Sequence, residues 1–466
     1  MPELENRTYA EIDVGDRAFV KRVLTEKDVK LFAAISGDVN PAHLDAKYAR
    51  SSMFQDIIGH GMWGAALISA VLGTQLPGPG AIYRSQELKF LNPVKLGDEV
   101  TVSVTVCEKR DNNHIVFDCE CQNQKGDVIM AGEAVVVAPD EKVKRPLTEP
   151  PRAFLHEHGE RLNALIEKAR NCSASGSAPI RTGVVHPVSK VSIEGIAGAM
   201  EEDLITPVLI GPTKKIEAAA AEAVFDLSSV DVVDAPHSHA AAAKAVALAR
   251  DGALDALMKG ALHTDEIMAE VVSPAHGIRT ERRISHVYVM DTPAYEKLLF
   301  ITDAAINIAP DLEEKRDIVQ NAIDLARSLG LEAPKAAVLS AVETVYPKLQ
   351  STLDAAALCK MADRGQISGG IVDGPLAFDN AVSKAAAEAK GLQSPVAGDA
   401  DILIVPDLEA GNMLAKELDY LAGAVAAGVV VGAQVPIILT SRAEGKLPRV
   451  AASAVAKLYH HKKFTS

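Results

Sequence analysis

Between residues 32 and 62 the sequence gathers side chains able to work on a water molecule. The run Phe32-Ala-Ala-Ile-Ser-Gly-Asp38-Val-Asn40-Pro41-Ala-His43 is followed by Gly59-His60-Gly61-Met62, where an apolar stretch begins. Asp38 and His43 stand five residues apart across an Asn-Pro turn, so a carboxylate and an imidazole can converge on one water. The main-chain N–H of Gly61, at a helix start, can face a developing oxyanion. Such a set suits addition of water to a trans-2-enoyl thioester. There C3 is electrophilic, and attack on it drives charge onto the thioester oxygen; the reaction needs a base for water, a proton for C2 and a donor for that oxygen. The plainer alternative is an ordinary turn, since Asp and Asn bond locally and proline sets φ. On that view His60 merely satisfies a helix N-terminus.

The elements that must position this set can be read from periodicity. Val20 to Leu24 reads as a strand, Glu26 to Ile35 as a helix and His60 to Leu72 as a largely apolar helix. Four strand-like runs follow, at Ala81 to Leu91, Glu99 to Lys109, His114 to Gln124 and Val128 to Ala138. An apolar helix before an antiparallel meander predicts a sheet wrapped around that helix. Gln75 to Arg84, rich in Gly and Pro, would border the pocket. After Ala138 the chain turns to PDEKVKRPLTEPPR, four prolines among charges, which makes a poor helix or strand. The expected division is residues 1–138, a linker over 139–154, and a larger part over 155–466.

That larger part alternates short apolar runs with Ala-rich stretches. Strands are expected at Thr182 to Val185, Leu204 to Ile210, Asp231 to Asp234, Ala336 to Leu339, Gly369 to Asp373 and Ile402 to Val405, with helices between them. Alternation of this kind predicts an α/β fold with a parallel sheet covered on both faces. Leu421 to Gly432 is too short to span a bilayer and reads as a buried helix running into a loop. No GxGxxG or GxxxxGK[ST] loop follows any expected strand, which argues against nicotinamide and ATP. Polar residues recur instead in four stretches: Met258-Lys-Gly-Ala-Leu-His263-Thr264, Ile371-Val-Asp373-Gly-Pro375-Leu-Ala-Phe-Asp379-Asn380-Ala, Pro406-Asp407-Leu-Glu-Ala-Gly411-Asn412 and Val435-Pro-Ile-Ile-Leu-Thr440-Ser441-Arg442. Each alone has a bland reading, as a turn, a cap or a loop.

Composition narrows the class. The chain has 466 residues, 48% of them hydrophobic, with a net charge of -14. It can bury large cores, and it lacks the clustered Lys and Arg that phosphate neutralisation on nucleic acid requires. The five cysteines show no metal-ligand spacing, and Cys119 and Cys121 share one strand face, so a reduced compartment is expected. The N-terminal residues contain no apolar core of signal-peptide length. A cytoplasmic enzyme without membrane or nucleic-acid partners is the expectation.

Taken together, Ser-Gly-Asp-x-Asn-Pro-x-His and the downstream His-Gly-Met resemble the signature of MaoC-like (R)-specific enoyl-CoA hydratases, over residues 10 to 138. The resemblance implies a hot-dog fold in which Asp38 and His43 activate water, Gly61 holds the oxyanion and Asn40 belongs to the substrate site. It further implies a reversible route to (R)-3-hydroxyacyl-CoA without metal or redox cofactor, in at least a homodimer.

The order KGAxHT, VDGPLAFDNA, PDLEAGNMLAK and TSR is similar to phosphate acetyl/butyryltransferases over most of 155–466. That implies two α/β subdomains flanking a central cleft, the second inserted at about 298–428. The reaction implied is acyl-CoA plus phosphate giving acyl phosphate plus CoA. Ser441 and Arg442 fall on the family's Ser-Arg pair, Arg283 is a candidate second phosphate-side arginine, and Asn412 is assigned to substrate. AEGKLPR follows where some members carry an aspartate, which suggests a butyryl-type or altered acyl preference. Three functions stay open: both halves catalytic, a hydratase with an inactive CoA-binding or oligomerising C-terminal module, or a C-terminal half that only clusters hydratase dimers.

Overall fold

The computed structural model describes residues 3–146, 159–174, 178–440 and 445–464. It divides into two compact units, Met1–Leu155 and His156–Ser466.

The first unit opens with β1 (Glu3–Glu5), a 3-10 turn (Tyr9–Glu11) and β2 (Arg17–Val23). Helices α1 (Glu26–Ser36), α2 (Pro41–Leu44), α3 (Ala46–Ser51) and α4 (Gly61–Thr74) follow. Next come β3 (Ile82–Phe90), β4 (Glu99–Arg110), β5 (His114–Gln122), β6 (Val128–Val137) and β7 (Lys144–Pro146). Thr25 starts α1 through a reciprocal capping box with Asp28, and Gly37 ends it in the left-handed region, φ 74°. The main sheet runs β2-β4-β5-β6-β3, with every pair antiparallel. Alternation along β4 turns Val100, Val102, Val104 and Val106 inward, against Ile68, Val71 and Leu72 of α4. Ile68 and Val71 are wholly buried, each stabilising the unit by on the order of 2 kcal/mol. A sheet curled around one apolar helix is the hot-dog fold. Within the segment expected to be linker, β7 pairs with β1.

The second unit contains α5 (Glu160–Ala174), β8 (Ile180–Val185), α6 (Lys190–Glu201), β9 (Ile205–Gly211), α7 (Thr213–Glu222), β10 (Asp231–Asp234), α8 (Ser238–Arg250), β11 (Ala256–Lys259) and α9 (Thr264–Val271). It continues with β12 (Ser285–Asp291), β13 (Leu299–Thr302), α10 (Leu312–Ser328), β14 (Lys335–Leu339), α11 (Gln350–Asp363), β15 (Ile371–Leu376), α12 (Phe378–Val382), α13 (Lys384–Ala389) and β16 (Ile402–Ile404). It ends with α14 (Leu408–Tyr420), β17 (Val425–Val431), β18 (Ile437–Ile438) and α15 (Lys446–Phe464).

The eleven strands order as β10-β9-β8-β11-β18-β17-β12-β13-β16-β14-β15. The α/β class holds, and the sheet is one continuous mixed sheet rather than two parallel ones. Its two flanking blocks are parallel inside themselves, and three antiparallel pairings, β18–β17, β17–β12 and β12–β13, join them. Three reversals leave the blocks pointing in opposite directions, so their carboxyl ends lie at opposite edges.

One expectation is corrected. Val425–Val431, inside the stretch read as a buried helix, forms the central strand β17, buried along its whole length. Paired along both edges by β18 and β12 and buried on both faces, it has no exposed face to produce alternation, and a short apolar run of this kind has no diagnostic period. Among the described residues, no helix is long and apolar enough to cross a membrane.

Candidate functional site

In the first unit the candidate residues converge. Asp38 lies between α1 and α2, exposed, with its carboxylate accepting from the Asn40 N–H at 3.2 Å. Asn40 spends its own side-chain oxygen capping α2, accepting from the Ala42 N–H at 3.0 Å, with Pro41 at the first helical position. Its amide therefore builds the turn that aims His43. The half-buried His43 ring donates from Nδ1 to the Ile58 carbonyl at 2.8 Å, which leaves Nε2 bare as the basic nitrogen. Gly61 is the first residue of α4, so its N–H has no acceptor within the helix. A Cβ there would meet the Phe90 ring at 3.0 Å, so only glycine seats without displacing that ring.

The sequence left His60 with two readings, a helix cap or a part of the His-Gly-Met motif with no role assigned. His60 is the N-cap of α4, yet its side chain makes no capping bond. Instead its Nε2 lies 3.0 Å from the Asp38 carbonyl, and its ring packs on His43 with centroids 3.9 Å apart. One ligating atom each from Asp38, His43 and His60 lie within 4.8 Å of one another, a set able to hold a divalent cation.

In the second unit the order of crossing reverses between β8 and β11, the position where open α/β sheets bind ligands beyond the strand ends. Three strand ends meet there. β8 ends at His186, at φ 56°, whose Nδ1 donates to the Ala261 carbonyl at 3.2 Å. β11 ends at Lys259, only 5% exposed, with Nζ 3.4 Å from the Leu262 carbonyl. β18 leads to Thr440, whose Oγ1 accepts from Arg449 at 2.9 Å. The N-terminus of α6, capped by Ser189, follows β8 at the same edge. A Cβ on Gly260 would lie 2.5 Å from the Val185 oxygen and 2.8 Å from that of His186, so the KG step is a close crossing of two strand ends. His263 caps α9 while Glu266 accepts from its N–H at 3.0 Å, and the Ser238 hydroxyl holds the Glu266 carboxyl below its ordinary range. Ser441 and Arg442 lie outside the described residues.

Arg283 and Asn412 come together elsewhere. Asn412 donates to the Ala304 carbonyl at 3.1 Å. Arg283 donates from Nε to Asn307 Oδ1 at 2.7 Å and pairs with Glu314 at 3.0 Å. Both brace the turn at 303–307, whose buried Asp303 accepts the N–H groups of Ala305, Ile306 and His286; burial pushes its carboxyl up. Arg283 precedes β12 at the edge opposite Lys259. Strand rise and spacing place the two Cα atoms about 20 Å apart. Around Arg283 a cavity of about 450 Å³ also carries Arg279, Arg282 and Arg316, matched by Glu281, Glu313, Glu314 and Asp317. Four cations facing four carboxylates make a weak anion site. Asp373 caps the N–H of Gly374 at 2.9 Å, and the Asn380 side chain is wholly buried, 3.4 Å from Glu343.

The comparisons with known proteins follow this division. Residues 237–456 match the phosphate acetyl/butaryl transferase family, and residues 11–120 match the MaoC like domain. The chain is 61% identical over 287 residues to a phosphate acetyltransferase of Rhizobium meliloti, covering 62% of this chain and 91% of that protein. It belongs to the phosphate acetyl/butyryl transferase family, and it carries a MaoC-like domain before that region. A phosphate butyryltransferase of Clostridium acetobutylicum is 41% identical over 266 residues, covering 57% of this chain and 88% of that protein. A branched-chain phosphotransacylase of Enterococcus faecalis shares the fold of the family region at 30% identity and TM-score 0.54, covering 60% of this chain and 99% of its own. The structure of R-hydratase PhaJ1 from Pseudomonas aeruginosa aligns at 44% identity and TM-score 0.33, covering 33% of this chain and all of its own.

Proposed function

We propose that this chain is a bifunctional acyl-CoA enzyme. Its first unit adds water reversibly to trans-2-enoyl-CoA, giving (R)-3-hydroxyacyl-CoA. Its second moves a short acyl group between CoA and phosphate, so that acyl-CoA and phosphate exchange with acyl phosphate and CoA.

The hydration reading rests on the convergence of Asp38, His43 and the Gly61 N–H. His43 Nε2 removes a proton from a water that Asp38 orients; the water oxygen bonds to C3, and charge moves to the thioester oxygen beside the Gly61 N–H. The imidazolium then returns its proton to C2, so the additions balance without a metal or a redox cofactor.

The transfer reading is supported by family membership and by the strand-end site. Sulfur of a free CoA thiol bonds to the acyl phosphate carbonyl carbon, the C–O bond to phosphate breaks, and the thiol proton ends on the departing phosphate. Lys259 and the N-terminus of α6 supply positive potential at that edge, and Ser441 and Arg442 follow Thr440 directly in sequence. Arg283 is left out of this site on its position. The higher identity to a relative named as an acetyltransferase makes acetyl the first acyl group to try, ahead of the butyryl preference suggested by the absent aspartate.

A homodimer is part of the same reading. Edge strand β3 leaves Ile82, Tyr83 and Phe90 exposed at 55%, 43% and 54%, and an apolar edge of this kind invites a second copy.

The test uses the full chain. Crotonyl-CoA should be hydrated to the (R)-product, and free thiol should be released from acetyl-CoA only when phosphate is present and Arg442 is intact. Hydration without thiol release from acetyl- or butyryl-CoA would leave the second unit as a CoA-binding or oligomerising module. No hydration would return the 38–43 motif to an ordinary turn.

A further inference from the structure

The geometry points to His60 as a positioning residue for the hydration site, holding Asp38 by a hydrogen bond and His43 by ring contact; this rests on the hydration reading above. His60 is 4% exposed, deeper than either residue it touches. A carbonyl oxygen can only accept, so the 3.0 Å contact to Asp38 makes Nε2 the protonated nitrogen of His60. Nδ1 is then a bare acceptor, buried and without a hydrogen-bond partner. Leaving such an atom unpaired is unfavourable. A leucine or phenylalanine would fill the space without that cost, and a capping role does not explain it, since the helix receives no bond from this ring.

What the ring does contact is the set of elements that carry the chemistry. Phe32 of α1 packs on it at 5.1 Å, and His43 of α2 at 3.9 Å with a 32° tilt. The N–H reaches Asp38 on the connection between those helices. Asp38 is exposed, and its other bonds are short-range, to Ser36 and Asn40. The bond from His60, 22 residues along the chain, is the long-range tie on its main chain. Since Gly61 directly follows His60, one dipeptide sets the oxyanion donor and braces both residues that act on water. In this assignment His60 acts through Asp38 and His43.

Three substitutions in the full-length protein separate the two roles. His60→Phe keeps a ring and loses the N–H; His60→Gln keeps an N–H near the Nε2 position and loses the ring; His60→Ala loses both. With crotonyl-CoA, His60→Ala is expected to lower kcat roughly 10- to 100-fold, as misplaced reacting groups do. KM should barely change, and the Phe and Gln variants should fall between it and the wild type. Wild-type kcat in His60→Ala, or a loss carried by KM, overturns the assignment.

A wild type inactive on enoyl-CoA would defeat the hydration reading itself. Ring ¹⁵N spectra then decide the positioning role without turnover. The wild type should carry its protons on Nε2 of His60 and Nδ1 of His43, with His43 becoming a mixture of tautomers in His60→Ala. A His43 spectrum unchanged in His60→Ala refutes the positioning role, also where that variant unfolds at lower temperature.

Discussion

The two candidate sites are built in opposite ways. The hydration set is compact in sequence: Asp38, His43, His60 and Gly61 fall within one stretch, displayed by a turn and two helix starts over an antiparallel sheet. The strand-end set draws on His186, Lys259 and Thr440, from three distant parts of the chain, and only the parallel pairing of β8, β11 and β18 brings them to one edge. Local turn chemistry suffices to draft the first. The second exists only because strand order reverses between β8 and β11.

The most severe test of that contrast is Asp38→Asn. It should cost hydration about 10³-fold, in the range for losing a positioned acid–base group, while phosphate-dependent thiol release stays unchanged. Lys259→Met should do the reverse, lowering acyl transfer on the order of 10²-fold with hydration intact. Coupled losses in either variant, read from both assays on one preparation, would break the view of two independent sites.

Stability sharpens the comparison further. Burial pushes His286 down to about 3, whereas the unfolded chain takes up that proton near 6.5. The folded state thus binds fewer protons between those values, so stability falls as pH is lowered through the window, by up to about 1.4 kcal/mol per pH unit. Urea unfolding of His286→Leu should show a shallower slope for the second unit, and an unaltered slope would assign it to other groups. Gly260→Ala drives a methyl group into two carbonyl oxygens and should cost about 1–3 kcal/mol, read as a lower urea midpoint together with weaker acyl transfer. The smallest expected effect is none at all: dialysis against a chelator should leave hydration unchanged. Loss restored by zinc would instead make Asp38, His43 and His60 a metal site.

Much of this was legible in sequence. The strand-like run from Glu99 to Lys109, the helix start near Glu26 and the Asp38–His43 spacing are local signals, and the structure keeps them as β4, α1 and one side-chain cluster. Misreadings arose where a signal needs a neighbour. Val425–Val431 is buried on both faces and carries no alternation, so its apolar run resembled a helix. The short strand β11 and the strands β12 and β13 were passed over in favour of their polar flanks. Arg283 was named as a phosphate-side candidate through the family resemblance, and only strand direction puts it at the edge opposite Lys259. For His60 the sequence offered a cap as the plain alternative because its position matches one; its partners are residues 17 and 22 positions earlier.

What the sequence determined by itself is the division into two kinds of unit, the family of the larger one and the turn that pairs Asp38 with His43, because periodicity, composition and short-range bonding are properties of neighbours along a chain. Tertiary structure decided that the larger sheet is mixed, that Lys259 and Arg283 lie at opposite edges, and that His60 faces His43 rather than its own helix. Those outcomes depend on strand order and on which buried faces meet, and a linear pattern does not specify either.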